Sequence, residues 1–115
     1  MLNPTQPSAA AAAAPAPWND DLIFAMLAEP ARRHLLRALA HGQSAAATQL
    51  QGATRLRLDA TLKHLTTLRA AGLLVTAPDP TDGRRMLYAL APAVPVVKSP
   101  EGAVGIDFGF CLLRL

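Results

Sequence analysis

The strongest indication of the fold is the segment TLKHLTTLRAAGLL, residues 61–74. Its leucines recur every three or four residues, which is the spacing of one apolar helix face, and Gly72 follows as a helix stop. At 100° per residue, the side chains of four leucines fall within an arc of about 120°, which is the width of a buried stripe. These residues are Leu58, Leu62, Leu65 and Leu68. The pattern therefore predicts a helix over about 57–71.

Three shorter helices are predicted before this one. Asp20 is the candidate N-cap of the first, which carries apolar residues at helical spacing. Pro30 suits the first turn of the second helix, and Gly42 ends that helix. Ser44 is the candidate N-cap of the third helix, which extends to about Gln51. The first part of the chain is therefore predicted to be all-α.

The second part of the chain has the pattern of β-structure. Residues 73–77 and 86–90 are predicted strands, and the turn-rich segment 79–83 between them predicts a hairpin tip. The last segment, 104–115, alternates apolar with small or polar residues, which is the two-residue period of a strand. We expect this strand to pair with residues 94–98 in a second hairpin.

The basic residues are concentrated in the centre of the chain. The 115 residues are 51% apolar and 17% charged, and their formal net charge is +3. Residues 32–85 contain nine basic and three acidic side chains, so this segment carries a net charge of +6. Arg32, Arg33 and Arg37 are predicted to face solvent on the second helix. Positive charge concentrated in this way indicates an anionic partner.

Composition also excludes several classes of protein and divides the chain. The single cysteine, Cys111, excludes an internal disulfide and a multi-cysteine metal site. No apolar run approaches the roughly 20 residues of a membrane span, so we expect a cytoplasmic protein. Residues 1–17 are rich in alanine and proline and are predicted to be a disordered tail. Residues 18–91 are predicted to form the main domain, and residues 92–115 a C-terminal β extension.

Three motifs occur in an order that resembles the arsenic-repressor (ArsR) family of bacterial transcription regulators. The motifs are LAEPARRHLLRALAHG at 27–42, TLKHLTTLRAAGLL at 61–74 and DGRRMLYAL at 82–90. The resemblance covers about residues 20–91. It implies a winged helix-turn-helix, mainly α with a β-hairpin wing, which is followed here by a C-terminal β-hairpin or strand. It also implies a sequence-specific, DNA-binding transcriptional regulator that acts as a repressor.

The residues themselves fit duplex DNA as the partner. A helix fits the major groove of B-form DNA, where its exposed side chains read base edges, and the predicted helix over 57–71 is the candidate. Basic residues beside a hairpin turn can hold the DNA backbone or enter a minor groove, which makes residues 79–88 the candidate wing. The candidate DNA-binding residues are Arg55, Arg57, Lys63, His64, Thr67, Arg84 and Arg85. His64 has a second interpretation as a hydrogen-bonded support of the helix.

Leu58 and Leu62 depart from the family pattern, which has small polar, DNA-facing residues at these positions. Either the helix is rotated so that both leucines are core, or they face outward and contact thymine methyl groups or a protein partner. The outward arrangement favours an alternative function, a non-catalytic protein–protein interaction module built on a winged-helix scaffold. Asp59 departs as well, because a carboxylate repels phosphate.

No metal or cofactor is predicted. Metal-responsive members of the family carry a cysteine pair in the third helix, where this chain has SAAATQL at 44–50. His34 and His41 are about two helical turns apart, roughly 10 Å, which is too far to chelate one ion. The sequence lacks a glycine-rich phosphate loop and a nucleophile motif, so no enzymatic activity is predicted.

A homodimer is the predicted assembly, because most helix-turn-helix regulators bind two half-sites as dimers. The C-terminal strand has two candidate roles. It either packs onto the helices of its own chain or pairs with a second copy, since an exposed apolar edge strand promotes aggregation. The sequence does not distinguish the two.

Overall fold

The computed structural model describes residues 18–115, so the tail predicted over residues 1–17 lies outside the described residues. The described residues form four helices and two three-stranded antiparallel sheets. The helices are α1 (Asp20–Leu27), α2 (Pro30–Leu39), α3 (Ala47–Thr54) and α4 (Leu58–Ala70). The strands are β1 (Ala45–Ala46), β2 (Leu74–Asp79), β3 (Asp82–Leu90), β4 (Val96–Lys98), β5 (Val104–Asp107) and β6 (Leu112–Arg114). The predicted fold class is therefore confirmed.

Two helices begin at residues other than the predicted caps. α1 is capped by Asn19, whose Oδ1 accepts a hydrogen bond from the Leu22 amide at 2.9 Å, and Asp20 is the first helical residue. α3 begins after Ala46, because the chain first forms the short strand β1 and leaves Ser44 outside the helix. The prediction of Asp20 and Ser44 as N-caps is therefore wrong.

The wing hairpin consists of β2 and β3, and β1 adds a third strand in the order β1-β3-β2. The hairpin strands are longer than predicted and leave a tight turn of Pro80 and Thr81 between Asp79 and Asp82. The Asp79 carboxylate stabilises this turn, because its Oδ1 accepts hydrogen bonds from the Thr81 amide at 2.9 Å and the Thr81 hydroxyl at 2.8 Å. Strand β1 was not predicted, since two alanines carry no periodic signal.

The C-terminal residues form a second sheet, in the order β4-β5-β6, instead of ending in a single strand. β4 and β5 make the predicted second hairpin. The chain then turns after β5, where the Phe108 amide donates to the Cys111 carbonyl at 2.9 Å and Gly109 has a φ of 94°. The prediction of one strand over 104–115 is therefore wrong. The alternating pattern continues through a turn that the left-handed conformation of Gly109 makes possible.

The helices and the second sheet share one hydrophobic core. Its most deeply buried members, each at most 1% exposed, are Ile23, Leu35, Leu36, Leu39, Leu65, Leu68, Leu73 and Ile106. Phe108 belongs to the same core and meets Trp18 edge-to-face, with ring centroids 5.7 Å apart. Of the two roles considered for the C-terminal segment, packing onto the helices of its own chain is observed for Ile106 and Phe108.

Candidate nucleic-acid interface

The helix-turn-helix is formed by α3 and α4, which are joined by Arg55, Leu56 and Arg57. α3 continues past the predicted end at Gln51 to Thr54, and it stops where Arg55 takes the left-handed φ of 57°. This conformation is uncommon for a residue with a side chain. Contacts on both sides of the turn must therefore hold it in place.

Two threonines supply those contacts. The Oγ1 atoms of Thr54 and Thr61 lie 2.9 Å apart, and Thr61 is fully buried. The Thr54 hydroxyl also lies 3.0 Å from the Gln51 carbonyl, and the Thr61 hydroxyl lies 3.1 Å from the Arg57 carbonyl. Each hydroxyl has one proton to donate, so at any moment two of these three contacts are hydrogen bonds. The Leu56 amide donates to Thr54 Oγ1 at 3.2 Å. Sequence reasoning missed this pair, whose signal is one threonine on each side of the turn.

The side chains of α4 that face the core differ from the predicted leucine stripe. Thr61, Leu65 and Leu68 are buried, whereas Leu58 and Leu62 are 36% and 38% exposed. The prediction that all four leucines are buried is therefore wrong for the first two. The physical reason is that Thr61, bonded to its partner across the turn, takes the inward position in the first half of the helix.

The exposed surface of the turn and of α4 is basic. Arg55, Arg57, Lys63 and Arg69 are all exposed, and Asp59 is the acidic residue among them. The Arg57 Nε lies 3.5 Å from the Asp59 carboxylate, but the two side chains are 90% and 78% exposed, and an ion pair in such a setting contributes little. The surface therefore keeps a net positive charge, which attracts a polyanion.

His64 and Thr67 lie at the edge of this basic surface, half-buried and already hydrogen-bonded. The His64 Nδ1 is 3.3 Å from Arg32 Nη1, and because a guanidinium can only donate, the ring nitrogen is the acceptor. The Thr67 hydroxyl donates to the Lys63 carbonyl at 2.9 Å. His64 thus has the contact expected of a helix support, which was its second interpretation.

Two arginines predicted to face solvent instead cap the end of α1. Arg32 donates from Nε to the Met26 carbonyl at 2.9 Å and from Nη2 to the Ala25 carbonyl at 3.0 Å, and Arg33 donates to the Leu27 carbonyl. Carbonyls at a helix C-terminus lack partners within the helix and carry partial negative charge, so guanidinium groups stabilise them. The prediction that Arg32 and Arg33 lie outside is wrong, since both are half-buried at this junction.

The wing arginines are paired with wing aspartates. Arg84 Nε lies 3.2 Å from Asp82 Oδ1, and Arg85 Nε lies 3.4 Å from Asp79 Oδ2. Hydrogen bonds from the Thr81 amide and hydroxyl, and to a smaller extent the charge of Arg85, hold the pKa of Asp79 below its usual value of 3.8. These four charged side chains sum to zero. The positive charge is therefore concentrated on the turn and α4 and not on the wing.

Three of the predicted DNA-binding residues, Arg55, Arg57 and Lys63, thus share one exposed surface, while the others lie at its edge or on the wing. Within residues 18–115, no three His, Cys, Asp or Glu side chains form a group that could hold a metal ion. In the same part of the chain, no helix has the length and apolar character needed to cross a membrane.

The fold is similar to that of several solved transcriptional regulators. An ArsR family transcriptional regulator is 30% identical, with 61% of this chain and 68% of that chain covered and a TM-score of 0.52. A probable transcriptional regulator from Pseudomonas aeruginosa is 26% identical over 64% of this chain and 58% of its own, with a TM-score of 0.53. The homodimeric winged helix-turn-helix DNA-binding domain Mb0332 from Mycobacterium bovis is 26% identical over 63% of each chain, with a TM-score of 0.53. No protein-family model and no curated protein matches the sequence.

The resemblance carried by the three sequence motifs is confirmed by these comparisons. The chain spans between 58% and 68% of the length of the three regulators. Transcriptional regulators of this kind are not enzymes. The helix order, the hairpin wing and the 30% identity to an ArsR regulator agree with one another. The chain belongs to the ArsR family of winged helix-turn-helix transcriptional regulators.

Proposed function

We propose that the protein binds specific sites on duplex DNA as a transcriptional repressor, with the first half of α4 in the major groove. One observation carries the proposal. Arg55 and Arg57 in the turn and Lys63 on α4 are all exposed, while Leu65 and Leu68 of α4 are buried in the core. A helix fits the major groove, and cations at its start attract the phosphates that flank the groove.

The proposed roles of the residues on this surface follow from their positions. Arg55 and Arg57 flank the start of α4, where backbone amides also approach phosphate, so both contact the DNA backbone. Lys63 lies in the second turn of α4 and contacts a guanine edge or a phosphate. His64 holds α4 in position through its hydrogen bond with Arg32 of α2, whereas the Thr67 hydroxyl bonds within α4 to the Lys63 carbonyl.

On the wing, Arg84 and Arg85 contact the backbone or enter the adjacent minor groove. Each first separates from its aspartate, and the Arg84–Asp82 pair is exposed enough for this step to be easy. Asp79 and Asp82 nevertheless stay close to the phosphates and repel them. The wing therefore contributes less to affinity than the turn and α4 do.

The assembly that we propose is a homodimer, with each copy on one half-site, working in the bacterial cytoplasm where the DNA lies. Its support is the similarity to the homodimeric Mb0332 domain and an exposed aromatic pair. Phe24 and Phe110 are 50% and 39% exposed and pack edge-to-face with ring centroids 5.5 Å apart. Aromatic side chains are enriched in protein interfaces, so we assign the contact between copies to these two residues.

A salt series of binding to duplex DNA, first random and then selected, tests the proposal. Phosphate contacts release counterions, so the logarithm of the binding constant should fall linearly with the logarithm of salt concentration, by about 0.9 per contact. Arg57→Gln should reduce this slope by about one. Arg114→Gln, which removes an exposed charge from the second sheet, is the matched control and should leave the slope unchanged. Absence of binding to every duplex at low salt would contradict the proposal.

A protein-interaction module on the same scaffold is the second candidate function. It is favoured by Leu56, Leu58 and Leu62, which are 38%, 36% and 38% exposed. Grouped apolar side chains on a surface mark a place that another molecule covers. This function needs no phosphate contacts, so partner binding that is insensitive to salt, together with no DNA binding, would support it.

A further inference from the structure

Leu58 and Leu62 flank the buried side of the helix that we propose enters the major groove, and both are partly exposed. They are four residues apart, so their side chains are neighbours along one strip of α4. Both are more than a third exposed, and neither belongs to the core cluster or to the side chains packed against it. More than a third of each residue is therefore open to another molecule.

The positive charge near these two leucines indicates which kind of molecule binds there. Arg55 and Arg57 are exposed in the turn that precedes Leu58, and Lys63, which follows Leu62 in the sequence, is exposed on α4. A matching partner must combine negative charge with small apolar groups. Duplex DNA does so, because phosphates line the major groove and the thymine C5-methyl is the apolar group that the bases present there. An uncharged apolar protein surface would leave the three cations unmatched.

We propose that Leu58 and Leu62 read thymine by packing against C5-methyl groups in the major groove. Residues four apart are about 6 Å apart along a helix axis, and stacked bases are about 3.4 Å apart. The two methyl groups therefore lie on base pairs one or two steps apart in each half-site. This inference rests on the proposed function and deepens it, since it names the base that supplies sequence specificity.

Replacement of thymine by deoxyuridine tests the inference on the unaltered protein, because deoxyuridine lacks only the methyl group. Duplexes selected from a random pool should carry thymine at two positions one or two steps apart. Burial of one apolar carbon changes affinity about four-fold, so deoxyuridine at one position should weaken binding about four-fold and at both about fifteen-fold. Deoxyuridine elsewhere in the same duplex should leave the affinity unchanged.

A variant pair assigns the effect to the side chain. At one of the two positions, Leu62→Ala should bind the duplex with thymine and the duplex with deoxyuridine with equal affinity. Its salt slope should equal that of the wild type. Leu112→Ala is the matched control, because Leu112 is also exposed, at 52%, but lies in the second sheet. Circular dichroism of both variants should match the wild type, since neither residue is a core member.

The outcomes separate this inference from the proposed function. Equal affinity of the wild type for both duplexes, with salt-dependent binding intact, would overturn the thymine role and leave DNA binding standing. Absence of binding to any duplex at low salt would overturn the proposed function and the thymine role with it. Capture of a protein partner that Leu58→Ser releases, without DNA binding, would overturn the thymine role in favour of the interaction module.

Discussion

Thr61 links the two helices of the helix-turn-helix through its side chain. Its hydroxyl lies 2.9 Å from that of Thr54 and 3.1 Å from the Arg57 carbonyl, and the side chain is fully buried. The Arg57 backbone is thereby tied to the interior while its guanidinium stays exposed. Separation of the two hydroxyls would remove a buried polar contact, which is destabilising. The pair therefore stabilises the position of α3 relative to α4.

Thr61→Val should lower the free energy of unfolding by about 1 kcal/mol, because valine keeps the volume but removes the buried contact between the two hydroxyls. Urea denaturation followed by circular dichroism measures this change. Thr66→Val, at an exposed position on the same helix, is the matched control and should stay within about 0.5 kcal/mol of the wild type. Equal losses in the two variants would show that the hydroxyl pair does not stabilise the turn.

At the scale of elements, α4 and the wing differ in how their charge is compensated. The turn and α4 carry four exposed cations against Asp59, whereas the wing arginines each have an aspartate within 3.4 Å. Charge on a hairpin tip attracts phosphate only to the extent that its own carboxylates leave it uncompensated. We therefore propose that the wing contributes little to DNA affinity and that removal of a single aspartate increases its contribution.

Asp82→Asn should strengthen binding to duplex DNA by about two- to five-fold at low salt, because it removes one anion beside Arg84 while the amide oxygen can still accept from the Arg84 backbone. Binding isotherms at several salt concentrations measure the gain and a steeper salt slope.

Conversely, Arg84→Ala together with Arg85→Ala should weaken binding to all sequences about equally.

Glu101→Gln is the matched control for the wing variant, because it removes an exposed carboxylate from the turn between β4 and β5. It should leave the affinity for DNA unchanged. If Asp82→Asn and Glu101→Gln raised the affinity equally, the effect would belong to net charge and not to the wing. A loss confined to particular base pairs in the double arginine variant would contradict backbone contact.

At the scale of the whole molecule, the C-terminal sheet completes the core and leaves aromatic side chains on the surface. Ile106 and Phe108 pack with the helices, while Phe110, stacked on Phe108 with centroids 6.1 Å apart, remains exposed beside Phe24. Phe24 of α1 thus packs against Phe110 of the C-terminal region. This arrangement brings a residue of the first helix and one of the last hairpin onto the same surface.

Phe24→Ser combined with Phe110→Ser should convert the proposed homodimer to a monomer, because the substitutions remove the apolar contact that we assign to the interface. Sedimentation velocity measures the change in mass. Affinity for a duplex with two half-sites should fall, while affinity for a single half-site should stay the same. Val97→Ser, at an exposed site on the second sheet, is the control and should remain dimeric. If only this variant dissociated, the interface would lie on the second sheet and not at Phe24 and Phe110.

Local sequence patterns were enough to predict the type and order of the four helices and of the wing hairpin, although they did not reveal strand β1. Leucine spacing, Pro30 and Gly72 predict helices and their ends because they act within one or two turns of the chain. The position of Arg55, Arg57 and Lys63 near the start of the last helix could be read in the same way. These features are local, and local physics is sufficient for them.

Which side chains of those elements face inward depends on contacts between the elements. Leu58 and Leu62 are exposed because Thr61 pairs across the turn, and Arg32 is half-buried because it reaches the end of α1 and His64. Hydrogen bonds of this kind join residues up to 32 positions apart and leave no periodic trace in the sequence. The face that we propose meets DNA was therefore set by side-chain contacts between elements, since a helix period defines a stripe but not its rotation about the axis.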